Sequence, residues 1–215
     1  PRPVGHHALS DLMLHLANGS LDSAPVRVAD VDILMSDCRV IRGFPSKIAL
    51  VKESSLVLTA HGAVPTMGED VTVDLEEAIW ASAVKSDGSV DTFGADKAEL
   101  VALLSESFDG ARAANPFGGE VAVFGIALGV VALAHAELKL ANRHFRDACG
   151  VLGMAQGNDR AIADVWMRIA ETYRAIDHRD SAKVAYSQAL SFYQHVLGAE
   201  HPITKRAQMT LQLMS

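Results

Sequence analysis

The sequence has only two cysteines, Cys38 and Cys149, and no Cys-x-x-Cys spacing. This scarcity argues against a disulfide-stapled secreted domain and against a cysteine-based zinc site. Free thiols are typical of a reducing compartment, so we expect an intracellular protein. The chain begins at Pro1, without a methionine or an apolar leader. Excision of an initiator methionine would fit the cytoplasm, and removal of a targeting peptide would fit an organelle such as the mitochondrion.

An excess of positive charge is also missing. Lys and Arg number 19 against 26 Asp and Glu, the net charge is −7, and the basic residues form no cluster. Binding to nucleic acid depends on basic side chains that neutralise phosphates, so we do not expect nucleic acid as a partner. An RNA-binding helical-repeat protein stays as an alternative, which retention on RNA with a steep salt dependence would support.

Long apolar runs are absent as well. The longest extends over 14 residues, from Val121 to Ala134. A bilayer span needs about 20 residues. This run therefore predicts a buried helix and no direct membrane span.

Sequence motifs for catalysis or metal binding are not found. The sequence has no G-x-x-x-x-G-K-[ST], G-x-G-x-x-G or G-x-S-x-G pattern, and its nine histidines show no zinc-ligand spacing. A calcium loop centred on Gly88 would put Ala83 and Lys85 at ligand places, which rules out an intact site. We predict no catalytic residue, no metal site and no cofactor. The alternative is an enzyme whose unrecognised active site lies in residues 20–115, with the C-terminal repeats as a docking arm.

The N-terminal region, residues 1–115, has a mixed pattern. Residues 8–18 have leucines and a methionine at helical spacing and end at Asn-Gly, so they predict a helix. From 20 to 69 the periodicity is poor. Within that stretch, "VRVADVDILM" and "SSLVLTAHGAV" are rich in β-branched residues and could be short strands.

A helical hairpin is predicted over residues 74–110. Asp74 with Glu77, and Asp96 with Glu99, have the spacing of helix N-terminal capping boxes. The segment "SDGSVDTFG" would be the linker between the two helices. A proline and two glycines in "ANPFGGE" then mark a boundary near Pro116.

From residue 117 to 215 the sequence predicts helix after helix, with an internal repeat of 41 residues. Shifted by this period, small residues coincide with small ones and aromatic with aromatic: Ala141 with Ala182, Phe145 with Tyr186, Ala148 with Ala189, and Gly157 with Gly198. Small, large and small residues at spacings of four and three lie on one helix face, where alanines let the next helix come close. A recurring stripe of this kind is typical of stacked helical hairpins.

This region resembles the tetratricopeptide repeat, in the long form found in kinesin light chains. The first-helix pattern of that family, W-x2-L-G-x2-Y, is matched by Trp166, Ile169, Ala170 and Tyr173. Both stripes match its second-helix pattern, A-x3-F-x2-A, and "LGAEHP" resembles its Gly-x-x-His-Pro turn. The preceding first helix departs from the pattern, because Gly125 and Ala132 replace its large aromatic residues. The resemblance covers about residues 119–215 and implies an α-solenoid of two hairpins plus a terminal helix, which binds other proteins and has no catalytic residues.

The resemblance also implies which side chains face a partner, because the first helix of each hairpin lines the concave side of such a stack. In the first hairpin these places are all apolar: Val123, Ile126, Val130 and Leu133. In the second hairpin they are mixed: Asp164, Met167, Glu171 and Arg174. In the terminal helix they include Lys205, Gln208 and Gln212. We expect these side chains to form a partner-binding face.

The apolar first hairpin requires a cover. A helix that is apolar all round is covered on every side, and exposure of four aliphatic side chains would forgo about 1.5–3 kcal/mol each. We expect either the N-terminal half of this chain or a separate protein to lie on it. The sequence thus predicts a mainly α, non-enzymatic interaction or scaffold protein, an accessory subunit or adaptor of a larger assembly. Its partners would be other protein subunits, with no small-molecule substrate inferred.

Overall fold

The structure is a computed structural model that describes residues 28–44, 55–60, 70–74, 77–85, 89–154 and 157–214. It divides into two compact units, Pro1–Leu100 and Val101–Ser215. The chain is mainly helical, with a small antiparallel sheet in the first unit. The helix predicted over residues 8–18 lies outside the described residues.

The sheet of the first unit has six strands: β1 (Val28–Met35), β2 (Val40–Phe44), β3 (Ser55–Ala60), β4 (Asp70–Asp74), β5 (Ala78–Lys85) and β6 (Val90–Gly94). Their order is β4-β3-β2-β1-β5-β6, and all neighbours are antiparallel. β1 pairs with β2 and β5 and is buried from Val31 to Met35 on both of its faces. Because neither face meets water, its sequence does not alternate strictly between apolar and polar residues. The two strands suggested within residues 20–69 are confirmed as β1 and β3.

A helical hairpin was predicted over 74–110, and the prediction of its first helix is wrong. This segment forms the strand β5, in which Trp80, Ala81 and Ala83 are buried. β5 pairs with β1 on one side and with β6 on the other. Strand preference depends on such neighbours, so pairing overrides the local helical preference of its alanines and of the acidic residues that precede it in the sequence. The predicted linker contains β6.

The second helix of that hairpin is confirmed. α1 (Lys97–Ala114) begins after Asp96, whose Oδ1 accepts a hydrogen bond of 2.8 Å from the backbone N–H of Ala98. This is the N-cap that the sequence predicts, because a carboxylate before the first turn accepts from one of its free N–H groups. The predicted domain boundary near Pro116 lies between α1 and the next helix, whereas the division into two compact units falls after Leu100, within α1.

Five further helices follow: α2 (Gly119–Ala134), α3 (Leu138–Leu152), α4 (Asp159–Ala175), α5 (Arg179–Leu197) and α6 (Pro202–Leu213). Each packs against the next along the chain. Three or four residues separate α2 from α3, α4 from α5, and α5 from α6. Among the helices that the structure describes, none has the length and apolar character to cross a bilayer.

Both small–large–small stripes are buried in the helical unit; their members are Ala141, Phe145 and Ala148 on α3 and Ala182, Tyr186 and Ala189 on α5. Gly129 of α2 lies directly against the Phe145 ring, and a Cβ added there would be 2.4 Å from Cε1. One turn earlier, Gly125 adjoins Ala148 and the ring of Phe108 on α1. The glycines of α2 therefore let α1 and α3 approach its backbone.

Candidate partner-binding face

The first four predicted face residues lie on α2, and none of them is open to water. Val130 is 2% exposed, and Val123, Ile126 and Leu133 are half-buried. Every residue of α2 from 121 to 134 is at least half-buried. The four side chains are therefore covered in part, as the apolar character of the helix requires.

Asp164, the first face residue of α4, is held by α5 and by its own helix. Its Oδ1 accepts a hydrogen bond of 2.6 Å from Tyr193 Oη, and its Oδ2 lies 3.6 Å from Arg160 Nε. The Arg160 and Asp164 side chains are each 19% exposed. A charge-assisted hydrogen bond in such a setting is stronger than one between neutral groups. Asp164 thus fixes α4 against α5.

The other three face residues of α4 differ in exposure. Met167 is half-buried and packs against an apolar cluster made of Ala163, Ala189, Tyr193 and Ala207. Glu171 is half-buried and takes part in a polar interaction, whereas Arg174 is exposed. The structure thus brings Asp164 and Met167 together around Tyr193. Of the four, Arg174 is the residue a partner reaches without displacing other side chains.

The corresponding residues of α6, Lys205, Gln208 and Gln212, are exposed. Lys205 Nζ lies 2.7 Å from Glu200 Oε2 in the turn before the helix. Both side chains of this ion pair are largely exposed, so it contributes little to stability. These exposed residues of α6 are polar, but the apolar side chains of Met209 and Leu213 are exposed on this helix as well.

Sequence reasoning did not find a polar cluster formed by Arg160, Asp164, Tyr193 and His201. His201 is the N-cap of α6, and its Nδ1 accepts a hydrogen bond of 3.2 Å from the backbone N–H of Ile203. Burial lowers the pKa of His201 below its ordinary value of 6.5, and the nearby Arg160 guanidinium lowers it further. The position of His201 before a proline at the start of a helix was the sequence signal that could have identified it as an N-cap. Nothing in the sequence indicated the contact between Tyr193 and Asp164.

A second interhelical contact links the two hairpins. Asn142 Nδ2 on α3 donates a hydrogen bond of 2.9 Å to Thr172 Oγ1 on α4, and the Thr172 hydroxyl donates one of 2.7 Å to the carbonyl of Ile169. Thr172 is buried and Asn142 half-buried. Since one hydroxyl can donate one hydrogen and still accept another, Thr172 satisfies both neighbours.

The titratable groups of the described residues form no centre for metal binding. In these stretches of the chain, no group of three or more His, Cys, Asp and Glu side chains is placed to hold a metal ion. Both cysteines are free thiols. Burial, followed by the Asp37 charge, raises the pKa of Cys38, and burial raises the pKa of Cys149. Both thiols therefore stay protonated near neutral pH, whereas the reactive form of cysteine is the thiolate.

Comparison with known proteins finds no family model that matches this chain and no matching curated protein. The resemblance to the tetratricopeptide repeat therefore rests on the residues quoted above.

Replacement of Tyr193 by Phe is expected to lower the free energy of unfolding by about 1–2 kcal/mol, because it removes a hydrogen bond to a partly buried carboxylate. Urea unfolding of the full chain measures the loss. Asp164→Asn and the double variant complete a double-mutant cycle, in which the two losses should not add if the contact carries the effect. Additive losses would contradict this assignment. Tyr173→Phe on the same hairpin is the matched control and should cost less.

Proposed function

We propose that residues 119–213 form a short tetratricopeptide-like α-solenoid of two hairpins and a terminal helix, and that the protein is a non-enzymatic interaction subunit or adaptor. The two hairpins would be α2–α3 and α4–α5, and α6 would be the terminal helix. Its partners would be other protein subunits, bound through the first helices of the hairpins.

The observation that carries this proposal is the burial of the same stripe in two helices. Phe145 and Tyr186, one repeat apart, are both buried, and so are the alanines that flank each of them. Because no single hairpin buries its own apolar face, a stripe buried twice at one period supports a stack of hairpins. Two repeats are few for independent stability, since about three are usually needed. That shortage favours a chain that functions in contact with other proteins.

The proposed binding face contains Val123, Ile126, Val130, Leu133, Asp164, Met167, Glu171 and Arg174, as the resemblance implies. The first four give it an apolar end, and the residues of α4 give it a charged end. Protein interfaces have an apolar centre and a polar rim, and the covered aliphatic side chains together with the exposed Arg174 would fit that pattern. Two free, protonated thiols fit a reducing compartment.

A charge change at Arg174 of this face and at Gln208, the corresponding exposed position on the terminal helix α6, tests the proposal. The full chain is immobilised, partners are captured from native extract, and those that co-purify stoichiometrically are identified. The double variant Arg174→Glu with Gln208→Glu should retain about tenfold less partner, equivalent to about 1.4 kcal/mol of binding free energy. Arg and Gln are both exposed at these positions, so folding should be unaffected.

The matched control makes the same two changes on the second helices. Arg146 on α3 and Gln188 on α5 are also exposed, and Arg146→Glu with Gln188→Glu should leave partner retention unchanged. Equal retention by both double variants would contradict binding through the first helices. If no protein co-purifies in a fixed ratio, the proposal of a subunit or adaptor fails.

A further inference from the structure

α6 is attached to the helical unit through its own first turn. Ile203 packs against the apolar cluster of Ala163, Ala189, Tyr193 and Ala207, to which α6 itself contributes Ala207. Thr204 and Ala207 are buried, whereas the rest of α6 is half-buried or exposed. The attachment is therefore narrow, and the start of the helix decides whether it holds.

The hydrogen bond that orders this first turn requires a neutral histidine. His201 Nδ1 accepts from the backbone N–H of Ile203, so Nδ1 carries no proton and the hydrogen of the ring is on Nε2. A protonated imidazole has a hydrogen on both nitrogens and accepts nothing. Its positive charge would also lie at the positive end of the helix dipole. Both the loss of the acceptor and the added positive charge destabilise the first turn of α6.

The charges around His201 add a third effect of the same sign. From α4, the Arg160 guanidinium acts on the imidazole, and Asp164, the ion-pair partner of Arg160, is also bound by Tyr193 of α5. Glu200 and Lys205, on either side of His201, pair with each other. At the end of α5, His195 lies 3.9 Å from Asp159 of α4. The charge that acts on the His201 imidazole is therefore that of Arg160, and it is positive.

We propose that α6 is a pH-sensitive element: protonation of His201 removes the acceptor that caps α6 and places a second positive charge beside Arg160, so that α6 separates from α4 and α5. Separation exposes Ala163, Ala189 and Tyr193, the apolar surface that α6 covers.

The direction of the pH dependence follows from the lowered pKa of His201. At pH values below 6.5, the ordinary pKa of histidine, His201 binds a proton when α6 is separated. When α6 is packed, the lowered pKa of His201 opposes this protonation. The stability that neutral His201 gives to the packed α6 is therefore fully present above pH 6.5. It is lost as the pH falls from 6.5 towards the lower pKa that His201 has in the packed state.

Hydrogen exchange of the full chain tests this proposal, with rates corrected for the intrinsic effect of pH. Between about pH 7.5 and about pH 5.5, where histidine changes its charge, exchange of the α6 amides should rise relative to those in the middle of α4 and α5. The expected rise is about fivefold, the usual effect of losing an N-cap acceptor. In His201→Asn, whose amide caps without titrating, the rise should be absent.

A second N-cap histidine supplies the matched control. His178 precedes α5, is exposed, and makes no capping hydrogen bond with its side chain. His178→Asn should therefore keep the full pH response of α6. An equal response in the wild-type chain and His201→Asn would overturn the proposal. So would exchange that rises equally in α4, α5 and α6, because the whole unit would then be opening.

Discussion

Gly129→Ala is expected to lower the free energy of unfolding of the helical unit by about 2–3 kcal/mol, the usual cost of overpacking a core. The new methyl carbon would lie 2.4 Å from Cε1 and 2.6 Å from Cδ1 of Phe145. Phe145 is fully buried, so its ring has no free space to move into. A loss of this size is a large part of the stability of an ordinary domain, about 5–15 kcal/mol. The midpoint and slope of urea unfolding measure it.

Gly125→Ala is the matched control, one turn earlier on α2. Its added Cβ would meet Ala148 Cβ at 3.4 Å and nothing closer, which is ordinary contact. Since alanine is favoured over glycine within a helix by about 1 kcal/mol, this variant should be neutral or slightly stabilising. Equal destabilisation by both variants would show that the Phe145 contact is not the cause. Phe145→Leu should cost less in the Gly129→Ala background than alone, because the smaller side chain relieves the clash.

Gly94→Ala is expected to destabilise the sheet unit by about 3 kcal/mol, through backbone strain combined with overpacking. Gly94 has a φ of +102°, and an added Cβ would lie 2.5 Å from the carbonyl oxygen of Ile79 and 2.9 Å from Cα of Trp80. Both atoms belong to the backbone of β5, so the clash can be relieved only by separating β6 from β5. Unfolding is followed by the fluorescence of Trp80 in a chain whose other tryptophan, Trp166, is replaced by Phe.

Gly110→Ala provides the comparison for Gly94. Gly110 lies within α1, and a Cβ added there would have nothing within 4 Å. This substitution should stabilise the chain by about 0.5–1 kcal/mol through the helical preference of alanine. A Gly94 variant that behaves like the Gly110 variant would show that the close approach of β5 and β6 does not constrain this position.

Sequence reasoning succeeded where structure depends on nearby residues. The stripes of α3 and α5 are defined by spacings of three and four, which one helical turn brings onto one face. Asp96 similarly caps α1 by a contact two residues away. By contrast, the segment from Ala78 to Lys85 has a helical local pattern but becomes a strand, because β1 and β6 pair with it from distant parts of the sequence.

The positions of the candidate face stay a prediction that rests on the family resemblance, whereas the exposure of its residues comes from the structure. The resemblance assigned Asp164 and Met167 to this face of α4. Their partial burial depends on Tyr193, which lies 29 residues after Asp164 and reaches it only once α5 has folded back. Periodicity gives the direction of a side chain, whereas a contact across two helices depends on how they pack. Arg174, in the last turn of α4, remains exposed.

The contact between Asn142 and Thr172 has a consequence for how α4 can turn. A purely apolar interface between α3 and α4 would tolerate small rotations, because dispersion contacts have no strict direction. The Thr172 hydroxyl must point at the Ile169 carbonyl and meet the Asn142 amide at once, and a rotation of α4 about its axis breaks the second contact first. A partner that bound α4, as we propose, would therefore meet a helix set at one angle and would not have to supply the free energy of orienting it.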